Sequence, residues 1–81
     1  MQGSAEAQLS LGTLFAVGNG VKQDLVEAHM WITLAAVGLP PGENRTTAVQ
    51  LREGLMGKMT EEQVERATER AEQMWVFSGK Q

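Results

Sequence analysis

The residues of this chain whose types could do chemistry are few: His29, Asp24, Gly18 with Gly20, and Ser4, Ser10 and Ser78. His29 is the single histidine. As a metal ligand or general base it would need a second group at matching spacing. Its helical neighbours Leu25, Trp31, Ile32 and Thr33 supply none, so it reads as a partly exposed helix residue. Gly18 and Gly20 have the spacing of a phosphate loop. That loop requires a preceding strand and a terminal lysine with serine or threonine, and neither is present, so the pair reads as a turn. Asp24 is placed to cap a helix rather than to act as an acid. The serines have no base in any motif context. Trp31 and Trp75 could stack on a ligand, but at helical spacing beside alanines they read as core. No catalytic set, cofactor site or metal site follows from these residues, and the sequence predicts that the chain is not an enzyme.

The elements that position these residues are bounded by bulk composition. The chain has 81 residues, suited to one small domain with a modest core. It has no cysteine, so no disulfide or thiolate site staples it. The formal charge is -3, and the basic residues are scattered, which argues against nucleic acid. No apolar run approaches the roughly 20 residues of a membrane span. The start MQGSAEAQ lacks the pattern of a secretory signal, and cytoplasm and periplasm stay equally open.

No segment alternates with period two, so no strand is expected. Ser4 is a good N-cap, and the spacing predicts helix A over residues 4–17, with a stripe of Ala7, Leu11, Leu14 and Phe15. Asp24 and Glu27 form a capping box for helix B over 24–37, with a stripe of Leu25, Ala28, Trp31, Ile32 and Ala35. Gly38 is placed to end that helix, with Leu39 folding back, before Pro40 and Pro41. Helix C spans 44–56 on Ala48, Leu51 and Leu55, weakened by Gly54 and ended at Gly57. Helix D spans 60–76, opened by Thr60 and Gln63 as a capping box and by Met59 and Val64 as a hydrophobic staple. Its stripe is Val64, Ala67, Ala71, Met74 and Trp75, and the terminal SGKQ should fray. Four helices with short links predict an all-α fold of two antiparallel helix hairpins. Close crossing demands small residues at the contact, here Gly12 against Ala28, while Ala35 and Ala36 leave room for a following helix.

Ala7, Leu11, Gly12, Phe15, Gly18, Gly20, Val21, Asp24, Ala28, Trp31, Ala35, Ala36 and Gly38 follow, in order and spacing, the pattern of a known repeat. The stretch 4–38 resembles the Sel1-like repeat, a relative of the tetratricopeptide repeat, with Phe15 where tyrosine is commoner. Residues 43–76 match poorly and resemble a degenerate second hairpin with the capping helix that closes such arrays. The resemblance implies a short solenoid that scaffolds protein–protein contacts, with no catalytic residue. Such arrays usually need about three repeats for stability. This chain has fewer, which suggests the end of a longer protein, pairing with another copy, or a sufficient cap.

The expected function is therefore a protein-interaction module that takes a peptide or helix of a partner in a concave groove. The alternative is a structural cap of a longer solenoid, or a self-associating domain with no separate ligand. In the related tetratricopeptide geometry the groove is lined by one side of helix A. Glu6, Leu9, Thr13 and Val17 form that side here, and Val49, Arg52 and Met56 form the comparable side of helix C. The partner surface is expected to run through these seven residues and not through His29 or the glycine turns. Packing would consume Ala7, Leu11, Phe15, Ala28 and Trp31.

Overall fold

The computed structural model describes residues 4–79, with side chains described as far as Met74. The described chain is all-helical. Its helices are α1 (Ala5–Val17), α2 (Leu25–Gly38), α3 (Glu43–Met56) and α4 (Glu61–Gly79). Local chemistry sets most of the ends. Ser4 Oγ accepts from the Ala7 amide at 3.0 Å, and Asp24 Oδ1 accepts from the Glu27 amide at 3.1 Å. At α4 the capping box closes both ways. The Gln63 amide donates to Thr60 Oγ1 at 3.1 Å, and the Thr60 amide donates to Gln63 Oε1 at 2.9 Å. Gly18 ends α1 at φ 74°, a conformation that side-chain-bearing residues reach only at a cost.

Two ends differ from expectation. Gly38 does not terminate α2 in a left-handed turn. It is the last helical residue, and the cap is Leu39, extended at φ -81° and buried. The smallness of Gly38 serves packing instead, since a β-carbon there would lie 3.3 Å from the Ala5 methyl. Helix α4 continues through Ser78 to Gly79, beyond the expected end at residue 76. No proline interrupts that stretch, so nothing local stops the helix. Lys80, Gln81 and the Trp75 side chain lie outside the described residues.

Helix α2 is the spine: α1, α3 and α4 each pack against it. The α1–α2 pair is antiparallel, because Ala5 meets Gly38 at one end while the Asp24 amide bonds to the Phe15 carbonyl at the other. Between these ends the helices nearly touch. A β-carbon at Gly12 would fall 2.6 Å from Ile32 Cγ1 and 3.1 Å from the Ala28 carbonyl oxygen. The close crossing on Gly12 and Ala28 is thus present. Ala28, Ile32, Ala35, Ala36, Leu39, Ala48 and Leu55 form one core joining α2 to α1 and α3. Met30, Leu34 and Ala71 form a second core joining α2 to α4, with Trp31 and Met74 packed on it.

That geometry corrects several facing assignments. Gly12 is the contact centre of α1, so the residues three, four or seven away from it face α2: Ala5, Leu9, Phe15 and Ala16. Ala7 and Leu14 are exposed, and Leu11 is half-buried. On α3, Ala48 and Leu55 are buried and Val49 packs beside them, while Leu51 turns outward. Trp31, expected as core, is half-buried against the α4 side. No helix of the described residues is long and apolar enough to cross a membrane.

Candidate partner-binding cleft

Where α1 closes tightly on α2, α3 and α4 do not close on each other across it. A cleft of about 280 Å³ opens between the three helices, lined by His29 and Thr33 of α2, Arg52, Glu53 and Met56 of α3, and Val64 and Thr68 of α4. A second cleft of about 330 Å³ lies between Thr33, Leu34 and Val37 of α2 and Thr68, Ala71 and Glu72 of α4. The two share Thr33 and Thr68, so they adjoin along α2, and together they are called the channel. Its walls are built by helical period. His29, Thr33 and Val37 are successive turns of α2, and Val64, Thr68 and Glu72 are successive turns of α4. The buried alanines Ala67 and Ala71 let α4 approach α2.

His29 is buried, 2 % exposed, which corrects the expectation of a partly exposed residue. Packing of α3 and α4 against α2 covers the ring. Its Nδ1 is 3.3 Å from Thr33 Oγ1. Its Nε2 is buried and has no hydrogen-bond partner among the described residues. Burial lowers the imidazole pKa below its ordinary 6.5, and the positive charge of Arg52 acts in the same direction. The ring is therefore neutral near pH 7, and Arg52 lies close enough for its charge to be felt there. Arg52 makes no ion pair among the described residues.

The outer wall of α4 is fastened by polar contacts. The Trp31 indole N–H donates to Glu27 Oε1 at 3.1 Å, and Arg70 reaches Glu27 Oε2 at 2.9 Å. One carboxylate thus holds α2's tryptophan and α4's guanidinium together. A second ion pair, Glu62–Arg66, lies one turn apart on the exposed side of α4 at 4.0 Å.

The seven residues expected to line a groove fall into three groups. Arg52 and Met56 do line the cleft. Leu9 and Val49 pack against the core and are not outward-facing. Glu6, Thr13 and Val17 are exposed on α1, away from the cleft, and the Thr13 hydroxyl is engaged with the Leu9 carbonyl at 2.9 Å. The α1 and α3 sides are therefore not walls of one groove. Sequence reasoning missed His29, Thr33, Val64 and Thr68. A signal existed in the two hydroxyl-bearing or imidazole residues one turn apart, His29 and Thr33, inside an otherwise apolar helix. No family model, curated protein or solved structure matches this chain.

Proposed function

We propose that this chain is a protein-interaction module that holds a segment of a partner protein in the channel along α2. The observation that carries this reading is the channel itself. It is apolar along Leu34, Val37 and Ala71, and polar at the His29–Arg52 end, the mixture that fixes both affinity and orientation at protein interfaces. Met56, 41 % exposed at its rim, is unbranched and adapts to the shape of a partner. The resemblance of residues 4–38 to the Sel1-like repeat supports the same reading, because that family scaffolds protein contacts. The close α1–α2 crossing on Gly12 is what such a repeat requires. Among the described residues no nucleophile, base and orienting group come together, which favours binding over catalysis.

A second reading has its own observation. Leu14, Val17 and Val21 are exposed at one end of α1, with Val17 at 63 %. Such a patch suits an upstream repeat or a second copy of the chain. One experiment separates the two. A photo-crosslinking amino acid is placed at Met56 in one protein and at Val17 in another, and each is exposed to lysate from its source cell. The first reading expects a discrete foreign protein attached through position 56. Attachment only through position 17, or only to the chain itself, rejects it in favour of the second.

A further inference from the structure

The His29 end of the channel holds two groups the fold does not use. Buried polar atoms are almost always hydrogen-bonded, because an unsatisfied one keeps the cost of leaving water without recovering it. His29 Nε2 is such an atom. The Nδ1–Thr33 contact fits either tautomer; with the hydroxyl donating, the proton of the neutral ring sits on Nε2 as a buried N–H donor, and this is the tautomer an anionic oxygen would select. Across the cleft stands Arg52 of α3, a fork of donors with no carboxylate partner among the described residues. A neutral N–H donor on α2 and a guanidinium on α3, lining one cleft, are jointly satisfied by an anionic oxygen.

Three further observations narrow the occupant. The polar end continues directly into the apolar stretch at Leu34, Val37 and Ala71. Along α2 the polar end at His29 precedes Leu34 and Val37 by five and eight residues, roughly 7.5–12 Å of helix. The shorter of these is close to the span from residue i to i+2 of an extended peptide, about 6.6 Å. The rim carries Glu53 at one end and Glu72 at the other, so a run of acidic residues would be repelled. We propose that the channel recognises an extended partner segment bearing a single side-chain carboxylate and, two residues away, an aliphatic side chain. The carboxylate pairs with Arg52 and accepts from His29 Nε2–H, and the aliphatic group fills the space between Leu34, Val37 and Ala71. This rests on the interaction-module reading and adds the chemistry of the partner.

The test is a titration followed by NMR of the full chain, up to millimolar peptide. The probes are the blocked peptides acetyl-Gly-Glu-Ser-Leu-Gly-amide and acetyl-Gly-Leu-Ser-Glu-Gly-amide, their glutamine counterparts, and sodium acetate. The expected result is saturable shifts of the His29 Nε2 and Arg52 Nε resonances with one glutamate peptide. Affinity should drop at least tenfold for its glutamine counterpart and for the Arg52→Gln protein. His29→Gln, which keeps a side-chain donor, should retain more affinity than His29→Leu. Equal response to glutamate and glutamine peptides, no saturable shift, or equal saturation by acetate alone overturns the proposal. Crosslinking of a foreign protein at position 56 alongside any of those results would leave the interaction module standing and reject only the carboxylate.

Discussion

The two sides of α2 are built on opposite plans. On the α1 side, Gly12 brings two backbones into contact and leaves no room for a methyl group. On the α3 and α4 side, the helices splay around threonines, a buried histidine and a channel. One helix thus presents a closed face and an open face. Close packing is achieved where only shape matters, and polar atoms are left without partners where a ligand could serve them. On the proposed function, stability and recognition are divided between faces, so substitutions on each should behave differently.

The sharpest contrast is steric. Gly12→Val should destabilise by about 3 kcal/mol, the upper part of the overpacking range, because Ile32 and the Ala28 carbonyl cannot both retreat. Thr68→Val in the channel should change stability by no more than about 0.5 kcal/mol. Urea unfolding of both proteins checks the pair, and similar midpoints would dissolve the distinction between the faces.

Trp31→Ala should cost about 2 kcal/mol, less than the ~3–5 kcal/mol of a fully buried aromatic, because Trp31 is only half-buried. Loss of all cooperative unfolding in this variant would mean that the α4 side is as closely packed as the α1 side.

His29 sharpens the comparison from the open side. His29→Leu removes the unpartnered nitrogen and should stabilise by about 1–2 kcal/mol near neutral pH. Because the folded pKa lies below 6.5, the unfolded chain takes up the proton first as pH falls. The parent should therefore lose stability as pH drops through 6.5 and level off below the folded value. The difference between parent and His29→Leu, measured by denaturant unfolding across that range, isolates this from the carboxylates. Among the charged groups around the ring, Arg52 opposes protonation and Glu53 lies at the rim.

Gly54 is helical, exposed and surrounded by open space. Gly54→Ala should stabilise by about 1 kcal/mol, whereas Gly20→Ala, at φ 84°, should not. Thermal melts of the two proteins separate a dispensable glycine from a required one. The smallest effect is expected at Arg70→Gln, about 0.5 kcal/mol, since this ion pair is partly exposed. A drop well above that would make the Glu27 contact, rather than Met30, Leu34 and Ala71, the main attachment of α4.

The elements were legible because their ends carry local chemistry: Ser4, Asp24 and Thr60 act through neighbours three residues away. The close crossing was legible because Gly12 and Ala28 are small residues on two successive helices joined by a short turn, where the axes can approach. Facing was less legible. The apolar residues of α1 lie on more than one side, so periodicity alone allowed a stripe through Ala7 and Leu11. Gly12, taken as the contact centre, selects Leu9 and Ala16 instead. The channel was least legible, since it depends on how far three helices splay. Arg52 and Met56 were found, but His29 was set aside because its neighbours in sequence offer no partner. Thr33, one turn on, in fact meets its Nδ1, Arg52 acts on the ring from α3, and Nε2 has no partner among the described residues. Arg70 was likewise invisible, because its carboxylate lies on a different helix.

The central claim is that recognition belongs to the open face of α2. Hydrogen exchange measured with and without the protein captured at position 56 tests it most directly. Slowed exchange is expected in the second half of α3, in α4 around Val64 to Ala71, and little change in α1. Slowing centred on α1 near Glu6, Thr13 and Val17, with α3 and α4 unaffected, would contradict the account.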